Sequence, residues 1–171
     1  MTPVSECGLG DPEATFRVYL GNRPDIEPFN QPDGIQPLAA GDIGHIVSAT
    51  GNHWRKIFNV YAKLLNAIGT PYVEGFPRWQ DYRDEKLLQR GSDVALCFGP
   101  PQSCTHQQQN VFMGKGFAHD CGFFSTPGAQ WLDSHFAVNN AGDVVCPYFD
   151  YRQLSDERIQ RLVTLLKIPE T

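Results

Sequence analysis

Residues 110–136 read NVFMGKGFAHDCGFFSTPGAQWLDSHF, and the architecture turns on this stretch. A short apolar run, Val111-Phe112-Met113, meets Gly114-Lys115 abruptly. A run of that length closed by glycine suits a buried strand. A strand that gives way to a small residue and a cation is a frequent phosphate-holding arrangement. Cys121 close to His119 and His135 also suits a nucleophile with its base, or part of a metal site.

The flanking segments supply the other elements. DVALCFG (93–99) reads as a second buried extended segment, closed by Gly99-Pro100-Pro101. SHFAVNNAGDVVCPYF (134–149) reads as two strands around a turn at Asn139 to Gly142. Near the start, ATFRVYLGNRP (14–24) alternates Phe16, Val18 and Leu20 with Arg17 and Tyr19, and Gly21 and Pro24 stop it as a first strand. In GNHWRKIFNVYAKLLNAIG (51–69), apolar residues from Trp54 to Ile68 recur at helical spacing, and Gly69 and Pro71 end the run. LSDERIQRLVTLLKIP (154–169) is a last helix with Ser155 as N-cap, acids in its first turn and Pro169 at its end. Residues 70–93 read as a loop and a short helix. Residues 24–50, rich in Pro, Gly, Asp and Asn, read as one long irregular connection, a length that usually serves function or is disordered. Strands interleaved with helices predict an α/β fold.

Bulk properties narrow the function. The 171 residues suit a single domain, with residues 1–14 expected to be loosely packed. No apolar run is long enough to span a membrane, and the N-terminus lacks the basic and apolar regions of a secretory signal. The expectation is a soluble, cytoplasmic protein. A net charge of −5 argues against a broad nucleic-acid-coating surface and leaves room for a local basic patch. The five cysteines, at 7, 97, 104, 121 and 146, are scattered without a C-x-x-C, which predicts reduced thiols and no standard zinc ribbon.

Four constellations could carry chemistry. Gly21, Asn22, Arg23 and Asp25 follow a predicted strand, where ligands bind in open α/β sheets, though the same residues build ordinary turns. Cys104-x-His106 with His119-x-Cys121 could close a tetrahedral zinc site, but at unfamiliar spacing, and no metal is expected. Cys121 at a helix start, with His135 as base, would make a cysteine hydrolase; a partly buried thiol is the plainer account. Tyr148, Phe149 and Tyr151 with Arg152 lie between a strand and a helix and suit base stacking and phosphate contact.

Taken in order, these pieces resemble the uracil-DNA glycosylase superfamily, closest to its mismatch-specific G:T/U branch. The matching residues are Gly21 and Pro24, Asn52-His53-Trp54-Arg55-Lys56, Met113-Gly114-Lys115, Gly128-Ala129-Gln130-Trp131, and Val144-Val145-Cys146-Pro147 with Leu154-Ser155. The resemblance runs over roughly residues 15–167. It implies a three-layer α/β/α fold around a mainly parallel four-stranded sheet, extrusion of a damaged base into a pocket, DNA as partner, hydrolysis of the N-glycosidic bond in DNA repair, and no cofactor. On that reading Asn22 and Asp25 position water, and Asn52 and Trp54 line the base pocket beside Gly21 and Arg23. Lys115 faces phosphate, and Tyr148, Phe149 and Arg152 contact the duplex, the aromatics as wedges. Two departures stand out. Arg23 occupies the place of this branch's Asn, with Asn22 one step before and Asp25 one step after. Tyr148-Phe149-Asp150 stands where the family carries His-Pro-Ser or Asn-Pro-Ser. The alternative is a non-catalytic relative on the same scaffold, binding a small ligand or a protein partner.

Overall fold

The computed structural model describes residues 7–101 and 108–166. Its centre is four parallel strands: β2 (Phe16–Leu20), β4 (Val94–Phe98), β5 (Gln109–Met113) and β8 (Val144–Cys146). β2 pairs with β4 on one side and β5 on the other, and β5 pairs with β8. Four short strands extend this core: β1 (Cys7–Gly10), β3 (Ile35–Gln36), β6 (Gln130–Trp131) and β7 (Ala137–Val138). The sheet therefore has eight strands in the order β3-β1-β4-β2-β5-β8-β7-β6, where the resemblance implies four. Three of the additions, β1, β3 and β6, are two to four residues long, too short to leave a readable period, whereas β7 is the first of the two strands read around the Asn139–Gly142 turn.

Strand alternation gives the sheet two apolar faces. Val18, Leu20, Leu96, Phe98, Val111 and Met113 point to one face and join the larger core. That face carries α1 (Asp42–Thr50), α2 (Asn52–Ile68), α3 (Trp79–Glu85) and α5 (Asp156–Leu165). Tyr19, Ala95, Cys97, Phe112 and Val145 point to the other. There α4 (Lys115–Asp120) and one short 3₁₀ turn, Phe123–Ser125, cover it through Ala118 and Phe123. Helices thus lie on both faces, unequally.

α2 is the principal strut. Trp54, Ile57, Phe58, Tyr61, Leu64 and Leu65 form its buried stripe, and burying each such side chain is worth about 1.5–3 kcal/mol. The Tyr61 hydroxyl donates to the Ala95 carbonyl at 2.8 Å, tying the helix to β4. Ser155 does precede α5, but its side chain makes no capping bond.

Two expectations need correction. Residues 7–11 are not loose: β1 pairs antiparallel with β4, and the Asp11 side chain is buried. A Cβ at Gly10 would stand 2.6 Å from the Ala95 Cα, so β1 packs this tightly because its glycines have no side chains. Residues 24–50 are not one irregular connection, since β3 and α1 lie within them. α1 hides its period because only Ile43 and Ile46 are buried and Gly44, Ser48 and Thr50 interrupt the pattern. No helix among the described residues is long and apolar enough to cross a membrane.

Candidate functional site

Because β2, β4, β5 and β8 are parallel, their carboxyl ends share one edge of the sheet. The chain leaves that edge at Gly21, Gly99, Gly114 and Pro147. Gly99 N–H donates to the Leu20 carbonyl and Gly114 N–H to the Cys146 carbonyl, each at 2.9 Å. Against this edge opens a cavity of about 630 Å³. Gly21, Asn22, Arg23 and Asp25 form one wall, and Thr50, His53 and Trp54, from the end of α1 and the start of α2, form the other. This volume lies within the range of small-molecule sites.

The Arg23 guanidinium is fixed on several sides. It donates to the Asn30 carbonyl at 3.2 Å and to the Cys7 sulfur at 3.3 Å, and lies 5.8 Å above the Phe98 ring. Asp25 is exposed in the same wall. Gly21 serves packing as well as access: a Cβ there would lie 3.2 Å from the Phe117 ring. Trp54 is only 4% exposed and packs on Phe58 and Phe98, offering the cavity little more than an edge.

Tyr148 joins three elements. Its hydroxyl oxygen lies 3.0 Å from Asn22 Nδ2 and 2.9 Å from His53 Nε2, and its ring stacks on the His53 imidazole at 5.6 Å between centroids. Burial pushes the Tyr148 hydroxyl above its ordinary value, partly offset by the Asn22 bond. His53 lies within the Asn52–Lys56 motif, and the sequence alone does not set it apart from its neighbours. Its place one residue before the pocket-lining Trp54, at a helix start, was the available signal.

Cations gather around this edge. Arg55 and Lys56 lie in the first turn of α2 and Lys115 opens α4. Lys56 Nζ stands 3.5 Å from Asp150 and 5.2 Å above the Tyr151 ring, and the Arg152 guanidinium lies 5.6 Å from the same ring. The Arg152 backbone N–H, and then Lys56, hold the Asp150 carboxyl below the usual carboxylate range. Tyr151 is 50% exposed.

The predicted residues therefore divide. Gly21, Asn22, Arg23, Asp25 and Trp54 share the cavity. Asn52 is exposed at the first position of α2, Lys115 at the first position of α4, and Arg152 in the turn after β8. Phe149 is the correction: it is fully buried, its ring 5.7 Å from Tyr61, and cannot contact a duplex. Tyr148 is bonded into the wall rather than free to wedge, so Tyr151 is the exposed aromatic of this loop.

The cysteine reading also meets a different geometry. Cys121 caps the carboxyl end of α4, the end opposite to the one that lowers a thiol pKa. Burial and then the neighbouring Asp120 raise its thiol above the ordinary value. Of the two zinc pairs, Cys104 and His106 lie outside the described residues, and no group of three metal-ligating side chains occurs among the described ones.

Residues 7–167 match DUF6942, a family of unknown function, and the chain belongs to that family. No curated protein and no solved structure matches it.

Proposed function

We propose that the chain is a divergent uracil-DNA glycosylase-like protein that binds nucleic acid and hydrolyses the N-glycosidic bond of a base drawn into the cavity. One observation carries the reading: Asn22, Arg23, Asp25 and His53 line a single cavity at the carboxyl edge of four parallel strands, and Lys56, Lys115, Arg152 and the exposed Tyr151 lie on the segments that lead away from His53 and from that same edge. Ligands of open α/β sheets bind at such edges, and cations with an exposed aromatic suit phosphates and unstacked bases. Asp25 is the group to orient a water toward the sugar carbon. The C1′–N bond breaks with its electron pair leaving on the base. The water oxygen bonds to C1′, and the base gains a proton as the water loses one. Arg23, at the place of the branch's Asn, suits the negative charge on the departing base or a phosphate rather than a cationic sugar.

A second reading is favoured by one contact. Asn22, a candidate for orienting water, already donates its amide to Tyr148. A scaffold that binds nucleic acid without cutting it would look the same. Base release from duplexes carrying uracil, hypoxanthine or mismatches separates the two. Release that is lost in Asp25→Ala supports hydrolysis. Salt-sensitive binding without release leaves the binding reading. The absence of both release and binding removes the proposal.

A further inference from the structure

The contact between Tyr148, Asn22 and His53 has a direction. Asn22 can only donate from Nδ2, so the phenol oxygen accepts there at 3.0 Å. The phenol has one proton to give. With a neutral His53, the arrangement that uses every group has Tyr148 donating to a bare Nε2 at 2.9 Å, while the ring proton sits on Nδ1. Protonating His53 reverses that bond. Nε2–H then donates to the phenol oxygen, which accepts from both neighbours, and the hydroxyl proton is freed for a third partner. The cavity lining, which also holds Arg23, gains a positive charge at His53, and the adjoining Tyr148 gains a free donor.

We infer that the cavity takes an anionic phosphate group together with a proton at His53, with Tyr148 as the group that converts the proton into an extra hydrogen-bond donor. This rests on reading the cavity as a nucleic-acid site and adds to it how binding is regulated. The groups facing His53 fit the inference. Arg23 and Asp25 line the same cavity, and the end of α1 contributes only the uncharged Ala49 and Thr50. Arg55 and Lys56 share its helix, Lys115 begins α4 next to Gly114, and Asp150 and Arg152 follow Tyr148. Cations outnumber acids among them. Proton and phosphate binding are then reciprocal: each strengthens the other by the same factor.

The test is affinity against pH for a fluorescein-labelled duplex carrying a uracil mismatch, at fixed ionic strength, between about pH 5 and pH 8. The wild type is expected to bind about tenfold more tightly at the acid end, corresponding to linked uptake of one proton, and His53→Gln to show no pH dependence. A parallel arm follows the His53 ring proton by NMR, with and without inorganic pyrophosphate, in the wild type and in Tyr148→Phe. Pyrophosphate is expected to move the His53 midpoint upward, and less so in Tyr148→Phe. Duplex binding with the same flat pH profile in wild type and His53→Gln overturns the inference and leaves the nucleic-acid reading standing. No duplex binding, with a His53 midpoint still moved by pyrophosphate, removes the nucleic-acid reading and upholds the inference for a free phosphate. A midpoint indifferent to both pyrophosphate and Tyr148→Phe overturns the inference.

Discussion

The two ends of the parallel strands use polar side chains in opposite ways. At the amino ends, polar groups bind the chain to itself. The buried Asp11 accepts backbone N–H groups of Glu13, Gly91 and Asp93 at 3.0–3.1 Å. Asp93 accepts the N–H and hydroxyl of Thr15 at 2.8 and 2.6 Å. Asn110 donates to Asp143 and accepts from Gln108, while Asn139 donates to Asp143 and Thr126. At the carboxyl ends, Arg23, Asp25 and His53 open onto a cavity. A buried carboxylate that accepts three backbone bonds is a structural clasp. A carboxylate exposed in a cavity wall remains available to a ligand. Position along the strand therefore separates residues that hold the fold from residues that could act on something else.

The comparison breaks first if Asp11→Ala proves mild. Three backbone N–H groups would lose a buried, charged acceptor, so a loss of about 2–3 kcal/mol is expected in urea unfolding, with nucleic-acid affinity per folded molecule unchanged. At the other end, Arg23→Ala is expected to weaken duplex binding at least tenfold, about 1.4 kcal/mol, in an anisotropy titration. Lys115→Ala and Arg152→Ala should each lower the salt slope of duplex binding by about 0.9, and a slope unchanged in both would detach those cations from the site.

The tyrosines near the amino edge sharpen the contrast with a smaller effect. Burial, and then the neighbouring Asp93, push the Tyr72 hydroxyl up to about 12. Burial also raises Tyr61 and Tyr82. A folded value above the ordinary value of about 10 means that this stability is complete below about pH 10 and is lost as pH rises through the folded value. The melting temperature should therefore hold from neutral pH to about pH 10 and then fall, less steeply in Tyr72→Phe. The smallest effect belongs to Tyr82→Phe. The Tyr82 hydroxyl is buried without a hydrogen-bond partner among the described residues, so its removal should change stability by no more than about 0.5 kcal/mol or raise it.

Legibility in the sequence followed how much periodicity each segment could display. β2, α2, β4, β5, β8 and α5 are long enough, or apolar enough, to announce themselves. β1 is half glycine and α1 buries little, so their roles emerge only from contact with β4 and α2. In the site, Asn22, Arg23, Asp25 and Trp54 were legible because they directly follow a strand or open a helix. Phe149 was misread because residue identity past a strand end does not say which way a loop turns: the next aromatic, Tyr151, is the one in solvent. The helix start hints at His53, but its bond to Tyr148, 95 residues away in the chain, is a pairing that no local pattern reveals.

The outermost strands of the sheet, Ile35–Gln36 and Gln130–Trp131, are two residues each. A foreign strand laid along either flank would find only a stub of backbone to pair with, whereas long open flanks invite chain-on-chain stacking and aggregation. Among the described residues, neither flank offers a long strand for such pairing, and the larger open feature of the sheet is the loop-bearing rim where the cavity lies.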